Sequence, residues 1–351
     1  MNEIKIGVFK IAKNGTPFII AEAGINHNGS VDKAFQMIQV AKEAGADAVK
    51  FQTFKAEEFV GDPGQLYTYR SQGKDVTESM LEMFKRNEFS REEWFRIKKK
   101  CDEIGIAFMS TPQNRSDLDL LLEVGISAIK VGSDDFTNLP LLEDYSGTGL
   151  PLVLSCGMAD EGDVARALEA VGFAKGYPVA LLVCTSQYPT PPQDVNLLRL
   201  KTIAETFPGI VPGFSDHTQG VAASVLAVGL GAVLFEKHFT LDNNMPGPDH
   251  WFSENPENLK NWVASIKSAH AMLGSSAIQP TLQEKEMRAI ARRSVVTIKD
   301  IHVGEDLSLE NCALRRPGTG IPPAQFKSVI GRKAIRNIKS HTPVQWGDVN
   351  Q

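Results

Sequence analysis

Cysteine is scarce and unpatterned in this chain. Its four cysteines, Cys101, Cys156, Cys184 and Cys312, have neither metal-ligand nor redox spacing, which argues against a disulfide framework or a thiolate metal knot and predicts buried free thiols. No sign of charge dominates. Lys and Arg number 37 against 42 Asp and Glu, a formal net charge of −5, so a general binder of nucleic acid or anionic membrane is excluded and small metabolites are the expected partners. Long hydrophobic runs are missing too. The uncharged stretch Gly220 to Phe235 is interrupted by Ser224, Gly229 and Gly231 and flanked by Asp216, His217, Glu236, Lys237 and His238, and it predicts a buried helix turning at Gly229 to Gly231 into a strand rather than a membrane span. Met1 to Gly15 mixes Glu3, Lys5, Lys10 and Lys13 with isolated apolar residues and lacks the apolar core of a secretory signal, so the expected location is the cytoplasm. Arg315-Arg316-Pro317-Gly318-Thr319-Gly320 has neither the Walker spacing nor the dinucleotide fingerprint, although its arginines can clamp an anion.

What the chain does have is eight short apolar runs ending in polar or small residues: Phe18 to Glu22, Ala48 to Gln52, Ala107 to Thr111, Ala128 to Ser133, Leu152 to Ser155, Ala180 to Ser186, Ile210 to His217 and Val233 to His238. Continuous apolar runs suit strands buried on both faces, which belong to parallel sheets. Amphipathic segments alternate with them, at Val31 to Ala44, Arg91 to Glu103, Arg115 to Glu123, Glu161 to Ala174, Leu197 to Thr206 and Asn258 to Met272. The pattern predicts a (β/α)₈ barrel with its site at the C-terminal strand ends. Residues 3 to 16 predict a hairpin around Lys13-Asn14-Gly15 that plugs the opposite end. The connection from Phe54 to Ser90, carrying Tyr67, Tyr69, Arg70, Gln72, Lys74 and Asp75, is long enough to be a lid or binding element.

A barrel of ~250 residues leaves room for a second unit. We place the barrel at 1–280, a linker at 281–290 and a small β-rich domain at 291–351. Within the last, Ile298 to Asn311 resembles Ile335 to Asp348 at an offset of 37 residues, a weak repeat that predicts two related halves.

The strand ends carry the chemistry. His217 and His238 end neighbouring strands, so two imidazoles can reach one divalent cation, with Mn²⁺ or Mg²⁺ suiting an oxygen-completed site; the alternative is two hydrogen-bonded core histidines. Lys50 and Lys130 end apolar runs where an unpaired ammonium is costly, and either an anionic ligand or a buried ion pair to Glu22 or Asp135 resolves that cost. Thr111, Ser133, Ser155, Ser186 and Ser215 supply hydroxyls from five strands, suited to a phosphate or carboxylate, though each alone is equally a turn or helix cap. Glu22 is placed to act as acid or base; His27 and Asn28 read as the turn that follows. Asp249 is either a ligand of sugar hydroxyls or a loop residue. No Ser or Cys nucleophile has triad partners, and the set fits addition or cleavage on a phosphorylated enol or carbonyl compound.

In order along the chain, Ala21-Glu22-Ala-Gly-Ile-Asn-His-Asn-Gly29, Val49-Lys50-Phe-Gln52-Thr, Ser110-Thr111-Pro, Ile129-Lys130-Val-Gly-Ser133, Cys184-Thr-Ser-Gln-Tyr188-Pro-Thr-Pro, Gly213-Phe-Ser215-Asp-His217-Thr, Glu236-Lys-His238-Phe-Thr and Pro246-Gly-Pro-Asp249 closely resemble the sialic acid synthase family, and Arg316-Pro-Gly-Thr-Gly320 resembles a loop of its C-terminal antifreeze-like (SAF) domain. The resemblance implies condensation of phosphoenolpyruvate with an open-chain N-acyl hexosamine, such as N-acetylmannosamine or a related deoxy-diacetamido sugar, to give a nonulosonic acid and phosphate. It implies that Lys50, Thr111, Lys130, Ser133, Ser155, Ser186 and Ser215 hold phosphoenolpyruvate, and that His217 and His238 bind Mn²⁺, or Mg²⁺ or Co²⁺ in its place. Gln52, Tyr188, Asp249 and Arg316 would orient the sugar, Arg316 reaching in from the partner of a domain-swapped homodimer. The chain departs from some members at Ser186, where they have Asn, and at Arg292-Arg293, where they have an aromatic residue; both bear on the sugar. Two other readings remain, a Schiff-base aldolase using Lys50 or Lys130 and a non-catalytic carbohydrate-binding protein.

Overall fold

The computed structural model describes residues 3–351, in two compact units that meet in sequence between Gly274 and Ser275. In the larger unit the strands are β1 (Glu3–Ile6), β2 (Phe9–Ala12), β3 (Phe18–Gly24), β4 (Ala48–Thr53), β5 (Leu66–Ser71), β6 (Lys74–Ser79), β7 (Ala107–Pro112), β8 (Ile129–Val131), β9 (Leu152–Ser155), β10 (Val179–Cys184), β11 (Val211–Asp216) and β12 (Leu234–His238). Its helices are α1 (Val31–Ala44), α2 (Ala56–Phe59), α3 (Met80–Lys85), α4 (Arg91–Ile104), α5 (Arg115–Val124), α6 (Leu139–Ser146), α7 (Glu161–Ala170), α8 (Arg199–Thr206), α9 (Ala222–Gly229) and α10 (Pro256–Leu273).

Eight parallel strands form one sheet in the order β7-β4-β3-β12-β11-β10-β9-β8. The eight apolar runs are these strands. The sheet curls into a barrel whose seam lies between β7 and β8, which pack together without joining the ladder. Strands buried on both faces need apolar residues throughout, and β3, β9, β10, β11 and β12 are buried at every position. The surrounding helices bury one stripe each. In α1 these are Val31, Ala34, Met37, Ile38, Ala41 and Ala44, at helical spacing; Ser30 caps its start, and Gly45 ends it with φ of 84°.

The bottom of the barrel is plugged as expected: Ile4, Ile6 and Ile11 of the β1–β2 hairpin join one apolar cluster with Phe18, Ile20, Ala48, Met109, Val153 and Leu182. Its turn differs from the expectation. The strands reverse at Gly7-Val8, pairing Ile6 with Phe9, whereas Asn14 and Gly15 make the later turn into β3, with the Gly15 amide donating to the Ala12 carbonyl at 2.8 Å. Two adjacent turn signals competed, and register chose the one that buries all three isoleucines.

Two further differences concern the connections. The segment from Glu161 to Ala174 breaks at Gly172 (φ 74°) into α7 and a short 3₁₀ turn. The long connection after β4 is ordered, folding as α2, the antiparallel hairpin β5–β6 and α3.

In the smaller unit, residues 281–290, read as a linker, are largely helical, in α11 (Leu282–Ala291). Strands β13 (Ser294–Thr297) and β14 (Cys312–Arg315) pair antiparallel, and α12 (Phe326–Val329) follows. The two repeat halves meet through equivalent residues: Ile301 and Ile338, 37 apart, form an antiparallel bridge with reciprocal 2.8 Å hydrogen bonds. Both are buried with Val295, Leu307, Val329 and Val344. All four cysteines are buried and free, and among the described residues no helix is long and apolar enough to cross a membrane.

Candidate active site

At the C-terminal mouth of the barrel lies a cavity of about 830 Å³ lined by Glu22, Lys50, Gln52, Thr111, Lys130, Ser133, Ser155, Ser186, Tyr188, Ser215, His217, His238 and Asp249. The topology therefore brings together every strand-end residue that the sequence assigned to anion, metal or sugar, with Glu22 and Asp249. Ser133, Ser186 and His217 stand one or two residues beyond their strands, on the loops that begin there. Arg316 and Arg292 belong to the smaller unit, where Arg316 is exposed just after β14.

Alternation along the strands sends Lys50, Lys130, Ser155, Ser215 and Glu236 inward. Glu22 needs an additional device. The β3–β4 register shifts between Glu22 and Gly24, a bulge of the kind that re-aims a side chain beside a site. Gly24 takes φ of 51°, a left-handed conformation that a side chain would strain, although a Cβ there would meet Glu22, Asp249 and His238 only at ordinary contact distances of 3.5 to 3.7 Å.

The floor holds two ammonium groups and two carboxylates. Lys50 Nζ lies 2.8 Å from Glu22 Oε2 and 3.8 Å from Glu236 Oε2, and it donates to Thr111 Oγ1 at 3.1 Å. Lys130 Nζ donates to Ser155 Oγ at 2.8 Å and to the Val131 carbonyl at 2.9 Å, with Glu236 Oε1 3.7 Å away. The carboxylate beside Lys130 is thus Glu236, and the ion pair to Asp135 does not form. Glu22 Oε2 and Glu236 Oε2 are both buried without a hydrogen-bond donor: the short Lys50 to Glu22 contact is an ion pair of poor direction. Burial pushes the Glu22 carboxyl up to about 7, with Lys50 opposing and Glu236 reinforcing the rise. Burial likewise pulls the Lys130 ammonium below its ordinary range, more than Glu236 restores. Burial also opposes the charge on Lys50, but Glu22 and Glu236 outweigh it and hold that ammonium up. With Glu22 protonated, two ammonium groups face one carboxylate. The floor is then net positive and built of buried side chains, a setting that favours a small anion.

Hydroxyl groups extend the floor. Ser215 Oγ donates to Glu236 Oε1 at 3.1 Å. Ser133 Oγ accepts from the Gly157 amide at 3.0 Å, and Ser186 Oγ is buried with no partner. Gly157 is needed at this corner, because a Cβ would lie 2.4 Å from Ser186 Oγ and 2.5 Å from Ser133 Oγ.

One wall carries the histidines, whose rings are 5.5 Å apart between centroids. His217 Nδ1 donates to the Thr185 carbonyl at 2.8 Å, which leaves Nε2 as the ring nitrogen on the cavity side, 3.4 Å from Ser215 Oγ. His238 Nδ1 is buried without a hydrogen-bond partner and 3.8 Å from Asp249 Oδ2. Burial, reinforced by His217 and the lysines, holds the His238 imidazole well below its ordinary pKa and therefore neutral. Burial opposes a charge on His217, but Cys184, the Thr185 carbonyl and Glu236 outweigh it and hold that imidazole above its ordinary pKa. A divalent cation would displace the His217 proton, and the two ring nitrogens His217 Nε2 and His238 Nδ1 then fit it. Among the described residues no three His, Cys, Asp or Glu side chains gather to hold a metal by themselves, so such a cation would need oxygen from substrate or water. The Tyr188 ring lies 4.1 Å from the His217 ring, tilted by 34°, and Phe252 lies 5.5 Å from that of His238.

Several residues were missed or misplaced by sequence reasoning. Glu236 was passed over, although it lies two residues before His238 and so must share its face. Gly157 had no signal beyond its position after strand β9. Of the long connection, Tyr67, Tyr69 and Arg70 line the cavity with Trp251 and Phe252, while Lys74 and Asp75 are exposed and Gln72 bonds the Asn244 carbonyl at 2.8 Å. His27 is a turn residue as read: its Nδ1 accepts from the Gly29 amide at 3.1 Å and its ring stacks on Phe89.

A (β/α)₈ barrel with a cationic, hydroxyl-rich floor beside a histidine wall defines a barrel enzyme built around a small anion and a polar co-substrate. The chain belongs to the NeuB family, whose model matches residues 37–277, and a SAF domain model matches residues 292–350. It is 40% identical to the N,N'-diacetyllegionaminic acid synthase of Legionella pneumophila over 94% of both chains, and 38% identical to the Campylobacter jejuni protein of the same name over 92% of this chain and 96% of that one. Among solved structures, the N-acetylneuraminic acid synthetase of Leptospira borgpetersenii, in complex with citrate, superposes with a TM-score of 0.72 at 33% identity, covering 81% of this chain and 94% of that one. The family resemblance read from the motifs is borne out, and the protein is an enzyme of the sialic acid synthase type.

Proposed function

We propose that the enzyme condenses phosphoenolpyruvate with an open-chain N-acyl amino sugar and water to give a nonulosonic acid and phosphate. The observation that carries this reading is the division of one cavity into a buried cationic floor around Lys50 and Lys130 and a wall of two histidines beside Tyr188 and Asp249. Phosphoenolpyruvate is a compact anion bearing both carboxylate and phosphate. Lys50, Thr111, Lys130, Ser133, Ser155, Ser186 and Ser215 hold it, the unpartnered Ser186 hydroxyl and the under-compensated Lys130 gaining a partner on binding. Gln52, Tyr188 and Asp249 orient the sugar so that its aldehyde carbon faces C3 of the enol.

The C3 to aldehyde bond forms with the enol electron pair as the aldehyde C=O π pair moves onto its oxygen, leaving positive character at C2. Water adds at C2, one of its protons passing to the Glu22 carboxylate and from there to the aldehyde-derived oxygen, which becomes a hydroxyl; the C2 to phosphate oxygen bond then breaks as the C2 hydroxyl gives its proton to the departing phosphate and becomes the ketone. Glu22, held near neutrality by burial, is suited to take and return that proton. His217 and His238 would hold a divalent cation, Mn²⁺ first among candidates, and when bound it supplies Lewis-acid polarisation of the aldehyde oxygen. A diacetamido sugar is the first candidate substrate, because two relatives at 38–40% identity carry the diacetyllegionaminic name. Arg316 is assigned, on family resemblance, to the sugar pocket of the partner in a domain-swapped homodimer.

Phosphate release from phosphoenolpyruvate, measured with Mn²⁺ across a panel of N-acyl and diacetamido hexoses, tests the reading. Release that no sugar stimulates would sink it. Borohydride trapping with pyruvate tests the aldolase reading on the same samples, since a covalent adduct at Lys50 or Lys130 requires a Schiff base.

A further inference from the structure

Strands β11 and β12 run side by side to the cavity wall. Ser215 pairs with Glu236 and Asp216 with Lys237 in the ladder; His217, the first residue beyond β11, and His238, the last of β12, come next. Ser215, Glu236, His217 and His238 all line the cavity, and alternation points the Asp216–Lys237 rung between them outward, under the helices.

That middle rung is a buried ion pair. Lys237 Nζ lies 3.1 Å from Asp216 Oδ2 and also donates to the Thr218 carbonyl, so a single ammonium binds the residues on both sides of His217 while being itself the neighbour of His238. Glu254 adds a third strand of support: its Oε1 is 3.7 Å from Lys237 Nζ, and its amide donates to the His238 carbonyl at 2.9 Å. Asp216 is saturated in turn by Thr218 and by Ser224 of α9, whose hydroxyl accepts from Trp262 of α10 at 2.9 Å. Asp216, Lys237, Ser224 and Glu254 are each at most 5% exposed, and none lines the cavity.

Two outward charges in this place are costly to bury, a cost that an apolar pair would avoid. A charged pair does one thing an apolar pair does not: it sets the spacing of the two strand ends through directed bonds. We infer that Lys237 and Asp216 are positioning residues that hold the His217 and His238 rings at the separation a shared divalent cation requires. The inference rests on the metal reading of those histidines and assigns Lys237 no contact with substrate.

The test uses the full-length apoprotein and reads Mn²⁺ affinity by electron paramagnetic resonance, with phosphoenolpyruvate affinity read separately by calorimetry. Lys237→Met is expected to weaken Mn²⁺ binding about 10- to 100-fold, as loss of a supporting contact behind metal ligands commonly does, while phosphoenolpyruvate affinity stays within about threefold. Should Lys237→Met fail to fold, Ser224→Ala, which deletes one bond to Asp216, is expected to shift the same ratio by a smaller factor. A folded variant with unchanged Mn²⁺ affinity, or with equal losses for both ligands, overturns the positioning role. His238→Ala is the reference: if it abolishes Mn²⁺ binding while Lys237→Met leaves it intact, only the clamp fails, whereas Mn²⁺ binding that survives His238→Ala removes the metal reading and the inference with it.

Discussion

Lys50 and Glu22 face each other at 2.8 Å across the barrel floor, yet burial raises the carboxyl to about 7. The two effects compete: the ammonium favours the carboxylate, and loss of solvent disfavours it more. Glu22 therefore keeps its proton over a range in which an exposed glutamate would have lost it.

A pH dependence follows with a definite sign. Because its pKa lies above the ordinary 4.5, Glu22 is protonated below about 7 and a carboxylate above. If the carboxylate accepts the proton of the attacking water, kcat/KM rises with pH through about 7, and Glu22→Gln loses both the limb and most of the rate. A limb that persists in Glu22→Gln assigns the titration to another group.

The lysines should separate anion binding from sugar binding. Lys130→Met removes a charge-assisted partner of a buried anion, with an expected loss of about 1.5–3 kcal/mol in phosphoenolpyruvate affinity. Lys50→Met should act in the same direction but also strand Glu22 and Glu236. Calorimetric titration showing intact phosphoenolpyruvate affinity in a folded Lys130→Met protein would return this residue to a purely structural ion pair.

Gly157 offers a steric test independent of charge. Gly157→Ala puts a methyl group within 2.5 Å of the Ser133 and Ser186 hydroxyls, so at least one must swing away. Phosphoenolpyruvate KM should rise about tenfold or more, the scale of one lost hydrogen bond to a charged group, with little change in sugar KM. An unchanged KM would move the anion away from this corner.

His217→Ala and His238→Ala should each abolish Mn²⁺-stimulated phosphate release, a rise of several kcal/mol in barrier height, without lowering the thermal midpoint by more than a few degrees. Full activity in the double variant, assayed free of metal, would remove both residues from the chemistry.

The dimer reading is checked by complementation. Arg316→Ala and Glu22→Ala chains, each inactive alone, should regain part of the activity after subunit exchange if each site takes Glu22 from one chain and Arg316 from the other. No recovery after exchange confirmed by mass would confine Arg316 to its own chain or to no catalytic role.

The barrel was legible from one dimension because parallel strands buried on both faces demand unbroken apolar runs, and all eight runs stand in the sheet. The polar residues ending those runs were equally legible as a site, since the fold gathers strand ends at one mouth. Local signals failed where two alternatives lay side by side: Gly7-Val8 and Asn14-Gly15 are both competent turns, and only packing of Ile4, Ile6 and Ile11 under the barrel selected the first. Sequence also left open whether Lys50 and Lys130 meet an anion or a carboxylate. The tertiary structure sets Glu22 and Glu236 beside them, through strand order and a bulge rather than through spacing along the chain. Glu22's raised pKa, Gly157's closeness to two hydroxyls and the Asp216–Lys237 rung behind the histidines likewise arise from burial and register. Each depends on which strands become neighbours, a long-range property that residue order specifies only once the whole sheet has closed.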